Sequence, residues 1–129
     1  MSKKYMVIII LLTCSFLLLP QNTYSSSTTE DYLQEKCGKS CEEYYRGKNY
    51  SGLGSGHTCH YNKKLNKCFI RLHFGGTNYY TSQLFEINEN ILYGILDMKG
   101  GKMISCSVGD VKCQSLKEWM KLTRPYMEE

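Results

Sequence analysis

The sequence predicts an α+β fold: an N-terminal helix, a four- to five-stranded antiparallel meander and a C-terminal helix, stapled by disulfides. Three observations predict it. Apolar residues recur at helical spacing between residues 29 and 46, the pattern changes to period two from His57 to Lys112, and six cysteines follow an export-type leader. Strands that follow one another with short turns pair as antiparallel neighbours, and the two amphipathic helices are expected to cover one face of the resulting sheet.

Residues 1–25 read as a signal peptide. Lys3 and Lys4 form the positive end, Met6 to Leu19 form an apolar stretch broken only by Thr13 and Ser15, and Thr23-Tyr24-Ser25 places small residues where a signal peptidase inspects them. The stretch is shorter than the roughly 20 residues that a spanning helix needs, so no membrane span is expected after cleavage. Past Ser15 the apolar run continues through Phe16-Leu17-Leu18-Leu19, where a lipoprotein would turn polar, so Cys14 is read as part of the discarded leader and not as a lipid attachment point. Residues 26–129 then make one small domain, and the expected location is secreted or periplasmic. The chain is 42% apolar and 22% charged, which excludes both a disordered chain and a multi-span membrane protein. Beyond the leader, 14 basic residues stand against 12 acidic ones, a net charge of +2. That is too mild a balance to point to nucleic acid.

Thr28 and Asp31 have capping-box spacing, and Leu33, Cys37, Cys41, Tyr44 and Tyr45 follow on one stripe, which predicts a helix over 29–46 stopped by a left-handed Gly47. Residues 47–56 carry four glycines and read as a flexible loop. A phosphate-cradling role for it would need a following Lys-Ser/Thr and a strand-to-helix context, and both are missing. Strands are expected over 57–62, 66–74, 79–87, 91–98 and 103–108, punctuated by Lys63-Lys64, Gly75-Gly76-Thr77-Asn78, Asn88-Glu89-Asn90 and Lys99-Gly100-Gly101-Lys102. Ser115 and Glu118 open a second helix with Leu116, Trp119 and Met120 on one face, expected to end near Arg124 because Pro125 follows.

Cys37, Cys41, Cys59, Cys68, Cys106 and Cys113 are the even six that an oxidising compartment converts into disulfides. Zinc is the competing reading, but only Cys37-x₃-Cys41 has zinc-ligand spacing, so no metal or other cofactor is expected. Six cysteines allow 15 pairings. With Lys63-Lys64 as turn centre, Cys59 and Cys68 would stand opposite each other, matching Cys37 and Cys41 one helical turn apart. This favours Cys37–Cys68 and Cys41–Cys59 as staples and Cys106–Cys113 as the closure of the last hairpin. The rival pairing of Cys37 with Cys41 and of Cys59 with Cys68 would leave the first helix held by packing alone.

Chemistry-bearing residues are few. His60 and His73, expected on the face opposite Cys59 with Lys67 and Arg71, are the candidates for acid–base cleavage of a phosphodiester. A solvated polar sheet surface accounts for them with no function at all, and it is the favoured reading because neither a motif nor a perturbing environment accompanies the pair. Glu86, Glu89 and Asp97 form at most a weak carboxylate cluster. The chain holds 11 tyrosines, and Tyr50, Tyr79 and Tyr80, beside turns and glycine loops, are the candidate binding surface.

The segments His60–Phe69 (HYNKKLNKCF), Leu84–Asn90 (LFEINEN) and Pro125–Glu129 (PYMEE) resemble a family of small exported bacterial proteins that brings no known activity. The resemblance implies an envelope or secreted location and carries over no site. The reading that follows is a non-enzymatic binding or interaction module of the cell envelope, its partner an envelope protein or polymer, with no nucleic acid expected. The alternative is a small secreted, nuclease-like hydrolase using His60 and His73.

Overall fold

A computed structural model describes residues 28–50 and 54–128; the expected leader lies outside the described residues. The first helix, α1, spans Thr29–Gly47. Thr28 caps it: its hydroxyl accepts the Asp31 N–H at 3.2 Å, while the Asp31 carboxylate accepts the Thr28 N–H at 2.9 Å. The left-handed residue that turns the chain out of the helix is Asn49, at φ 58°, rather than Gly47. Asparagine tolerates that conformation, so the glycine is not needed for it.

Six strands follow, not four or five: β1 (Ser55–Asn62), β2 (Lys67–Gly75), β3 (Tyr79–Glu86), β4 (Ile91–Lys99), β5 (Lys102–Val108) and β6 (Val111–Lys112), paired antiparallel in sequence order. The additional strand β6 is two residues long, too short for alternation to register in the sequence. It returns through Gly109, at φ 55°, to pair with Ser107 and Val108.

The first hairpin is displaced from the expected register. Asn62 pairs with Lys67, so the turn has four residues, 63–66, with Asn66 left-handed at φ 51°. The Asn62 carboxamide oxygen accepts the Leu65 N–H at 2.9 Å and holds that wider turn closed. Cys59 consequently faces Ile70, and Cys68 faces Tyr61.

The last helix, α2, spans Leu116–Met127 and runs through Pro125 rather than stopping at Arg124. A proline this near the C-terminus forfeits one helical bond. Tyr126 lies 5.3 Å from the Phe69 ring and 5.4 Å from that of Tyr93, which keeps the final turn on the core. Asn62, fully buried, donates its amide to the Pro125 carbonyl at 2.7 Å.

The helices cover opposite faces of the sheet, not one. Neighbouring residues of a strand point to opposite sides. Ile70 and Leu72 of β2 join Cys37 and Cys41 of α1 in one buried cluster, whereas Phe69 joins Leu84, Leu96, Val108 and Trp119 of α2 in the other. β2 is thus buried on both sides, which explains its unbroken run Cys68-Phe69-Ile70. Trp119 rests against Gly94 of β4, where an added Cβ would stand 2.9 Å from its ring. Among the described residues, no helix is long and apolar enough to cross a membrane.

Candidate binding surface

The structure pairs Cys37 with Cys68, Cys41 with Cys59 and Cys106 with Cys113, at Cα separations of 5.5, 6.2 and 5.0 Å. The first two fix α1 to the β1–β2 hairpin, and the third ties the end of β6 back onto β5. Because of the shifted register, Cys59 and Cys68 are diagonal rather than facing neighbours. Diagonal positions remain on one face and within reach of two cysteines one helical turn apart.

The histidines are dispersed. His60 and His73 share the α2 side of the sheet, but His60 pairs in register with Phe69 and His73 with Gly56. They are four residues apart along the strands, roughly 13 Å at the usual rise, too far to act on one phosphodiester. The His73 imidazole lies over Gly56, where any Cβ would collide with it. Arg71 from the same face points its guanidinium at Met120 of α2, at 3.5 Å. His57, on the α1 side, approaches the Glu42 carboxylate at 3.1 Å and stacks on Tyr45 at 4.4 Å. The carboxylates also separate. Glu86, 1% exposed, accepts the N–H groups of Asn88 and Glu89 and shapes the β3–β4 turn, whereas Asp97 accepts hydroxyls from Thr81 and Ser105 five positions further along the sheet.

The tyrosines gather more closely. In a meander, alternate turns lie at one end of the sheet, so the C-terminus of α1, the β2–β3 turn and the β4–β5 turn meet there. The Tyr50 ring packs 4.9 Å from Phe74, and its carbonyl accepts the Tyr45 hydroxyl at 3.1 Å. Tyr80 faces the α2 side and packs on that core, half-buried. Tyr79 points to the other side, 55% exposed, its ring folded over Gly76. Of the three, Tyr79 presents the most surface, while Tyr50 and Tyr80 serve as much to hold the turns.

The neighbours of Tyr79 are cationic. Lys99 is its cross-strand partner and itself pairs with Lys102 across the Gly100-Gly101 turn. Both glycines are left-handed, at φ 58° and 72°, the geometry of a tight two-residue hairpin. The Gly100 N–H donates to the Asn78 carbonyl at 2.8 Å, locking the β2–β3 and β4–β5 turns together as one rim. Like charges placed directly across a strand pair repel, and neither lysine has an ion-pair partner among the described residues. In the sequence, Lys-Gly-Gly-Lys signals only a turn; the repulsive pair becomes visible once the register is known. No protein-family model, no curated protein and no solved structure matches the chain.

Proposed function

We propose that the protein is a non-catalytic binding module that works outside the cytosol, secreted or in the cell envelope, and takes an envelope protein or polymer at the rim formed by Tyr79, Lys99 and Lys102. The observation that carries this reading is the juxtaposition of an exposed tyrosine with two lysines that face each other across a strand pair and have no ion-pair partner among the described residues. An anionic partner relieves that repulsion, and the tyrosine supplies rigid contact area with a polar tip. The rim is firmly mounted: Phe74 and Tyr50 brace it from one side, Tyr80 and Met98 from the other. The three disulfides suit an oxidising compartment and support the location.

The test is retention of envelope proteins and cell-wall polymers on the immobilised protein, compared with a Tyr79→Ala/Lys99→Ala/Lys102→Ala variant. These side chains contribute little to either core, so circular dichroism should be unchanged. Capture should weaken by about 2 kcal/mol or more, as at a binding hot spot, and fall as salt is raised. Undiminished capture by the variant sinks this surface. Turnover of RNA that disappears in His60→Ala would instead establish the hydrolase.

A further inference from the structure

Two of the disulfides lie side by side beneath α1. Cys41 Sγ is bonded to Cys59 and stands only 4.0 Å from Cys68 Sγ of the neighbouring bridge. The sulfurs of Cys37, Cys41 and Cys68 all fall within 4.8 Å of one another, and all three residues are buried. Sulfurs bound to one zinc ion at about 2.3 Å occupy the corners of a tetrahedron with edges of about 3.8 Å. We propose that the reduced chain binds one zinc ion through Cys37, Cys41, Cys59 and Cys68, so that the same four side chains hold α1 to the β1–β2 hairpin through a metal when reduced and through two disulfides when oxidised.

Three of the four sulfurs are already gathered, and the fourth, that of Cys59, is held beside them by its bond to Cys41. Cys37 and Cys41 lie one turn apart on a helix, within the usual spacing of a zinc-ligand pair, and Cys59 and Cys68 come from adjacent strands on the face beneath. A groove of about 150 Å³, with Lys36, Ser40, Cys37 and Cys68 on its wall, brings open space up to two of the four cysteines. A zinc tetrathiolate carries two negative charges, and Lys36 on the wall of that groove offers compensation. Cys106 and Cys113 belong to the opposite core and take no part.

The conversion balances. Two dithiol molecules each deliver two electrons and two protons to one bridge, leave as disulfides and release four cysteine thiols. Zn²⁺ then displaces the four thiol protons, with no further electron transfer. A disulfide-class oxidant removes two electrons from each cysteine pair, re-forms both bridges and expels the ion.

The experiment is an anaerobic titration of the full chain with Co²⁺ and then Zn²⁺, after reduction by a phosphine, which adds no competing thiol. The expected result is one Co²⁺ per chain with the spectrum of a tetrahedral four-sulfur site, displaced by one Zn²⁺. A Cys106→Ser/Cys113→Ser variant should bind identically. Cys41→Ser should weaken binding by more than the roughly 10–100-fold that loss of a mere supporting partner costs. Should reduction unfold the chain, zinc is expected to restore its circular dichroism. Absence of Co²⁺ uptake, a spectrum of three sulfurs and one nitrogen, unchanged affinity in Cys41→Ser, or zinc that leaves a reduced chain unfolded would each overturn the proposal.

Discussion

Asp31 shows how much structure one side chain carries. The hydrogen bond from the Thr28 backbone, and then that from its hydroxyl, hold the Asp31 carboxyl below its ordinary value of 3.8. A group depressed in the folded state stabilises it fully above the unfolded value and loses that contribution as pH falls through the folded one. Asp31→Asn should therefore be less stable than the parent at neutral pH, with the difference shrinking below about pH 4. Denaturant midpoints across that range check it; a difference independent of pH would remove the carboxylate from the cap. This cap was readable in the sequence because both partners lie within four residues. The buried roles of Glu86 and Asn62 were not. Glu86 folds back on its own turn only once β3 and β4 are in register, and Asn62 finds its second partner, Pro125, 63 residues away.

Elements were legible where turn chemistry is local. Turn residues located the five longer strands, although the first turn is wider than Lys63-Lys64 suggested, and the apolar stripes located both helices, although Pro125 misplaced the end of α2. The stripe of a helix says that one side will be buried but not against which face of the sheet, and so the opposite placement of α1 and α2 was missed. A clue was present in Cys68-Phe69-Ile70, an uninterrupted apolar run that suits a strand covered on both sides. The contact between α2 and β4 depends on Gly94. A Cβ there would stand 2.9 Å from the Trp119 ring and 3.0 Å from the Ser107 carbonyl. Gly94→Ala should cost about 1–3 kcal/mol, the usual range for overpacking a well-filled core, and should alter the near-ultraviolet signal of the single tryptophan. A melting temperature and tryptophan spectrum like those of the parent would show that this contact can relax.

Across the whole molecule, the bridges differ in the length of chain they close. Cys37 and Cys68 are 31 residues apart, whereas Cys106 and Cys113 are separated by 7. In the chain-entropy account, the longer closure stabilises by about 1 kcal/mol more. Cys37→Ala/Cys68→Ala should therefore have a lower urea midpoint than Cys106→Ala/Cys113→Ala; the reverse order would mean that the short bridge does more than restrict the unfolded chain. The candidate rim is also a property of this scale. Tyr79 could be singled out by its place beside a glycine turn, but its lysine neighbours come from a strand pair set by the meander as a whole.

The two ends of the described chain bracket the same hairpin turn. At the start of α1, Glu30 reaches Lys63 at 2.7 Å, and near the end of α2, the Pro125 carbonyl meets Asn62 from the opposite side. A force pulling those ends apart would not unzip the sheet from an edge. It would divide between a covalently riveted side and a side held by one amide and a row of rings. The riveted side cannot lengthen between residues 37 and 68 while its sulfurs are joined. The C-terminal helix would peel away first, uncovering Phe69 and Trp119, and the hairpin beneath α1 would be the last part of the molecule to give way.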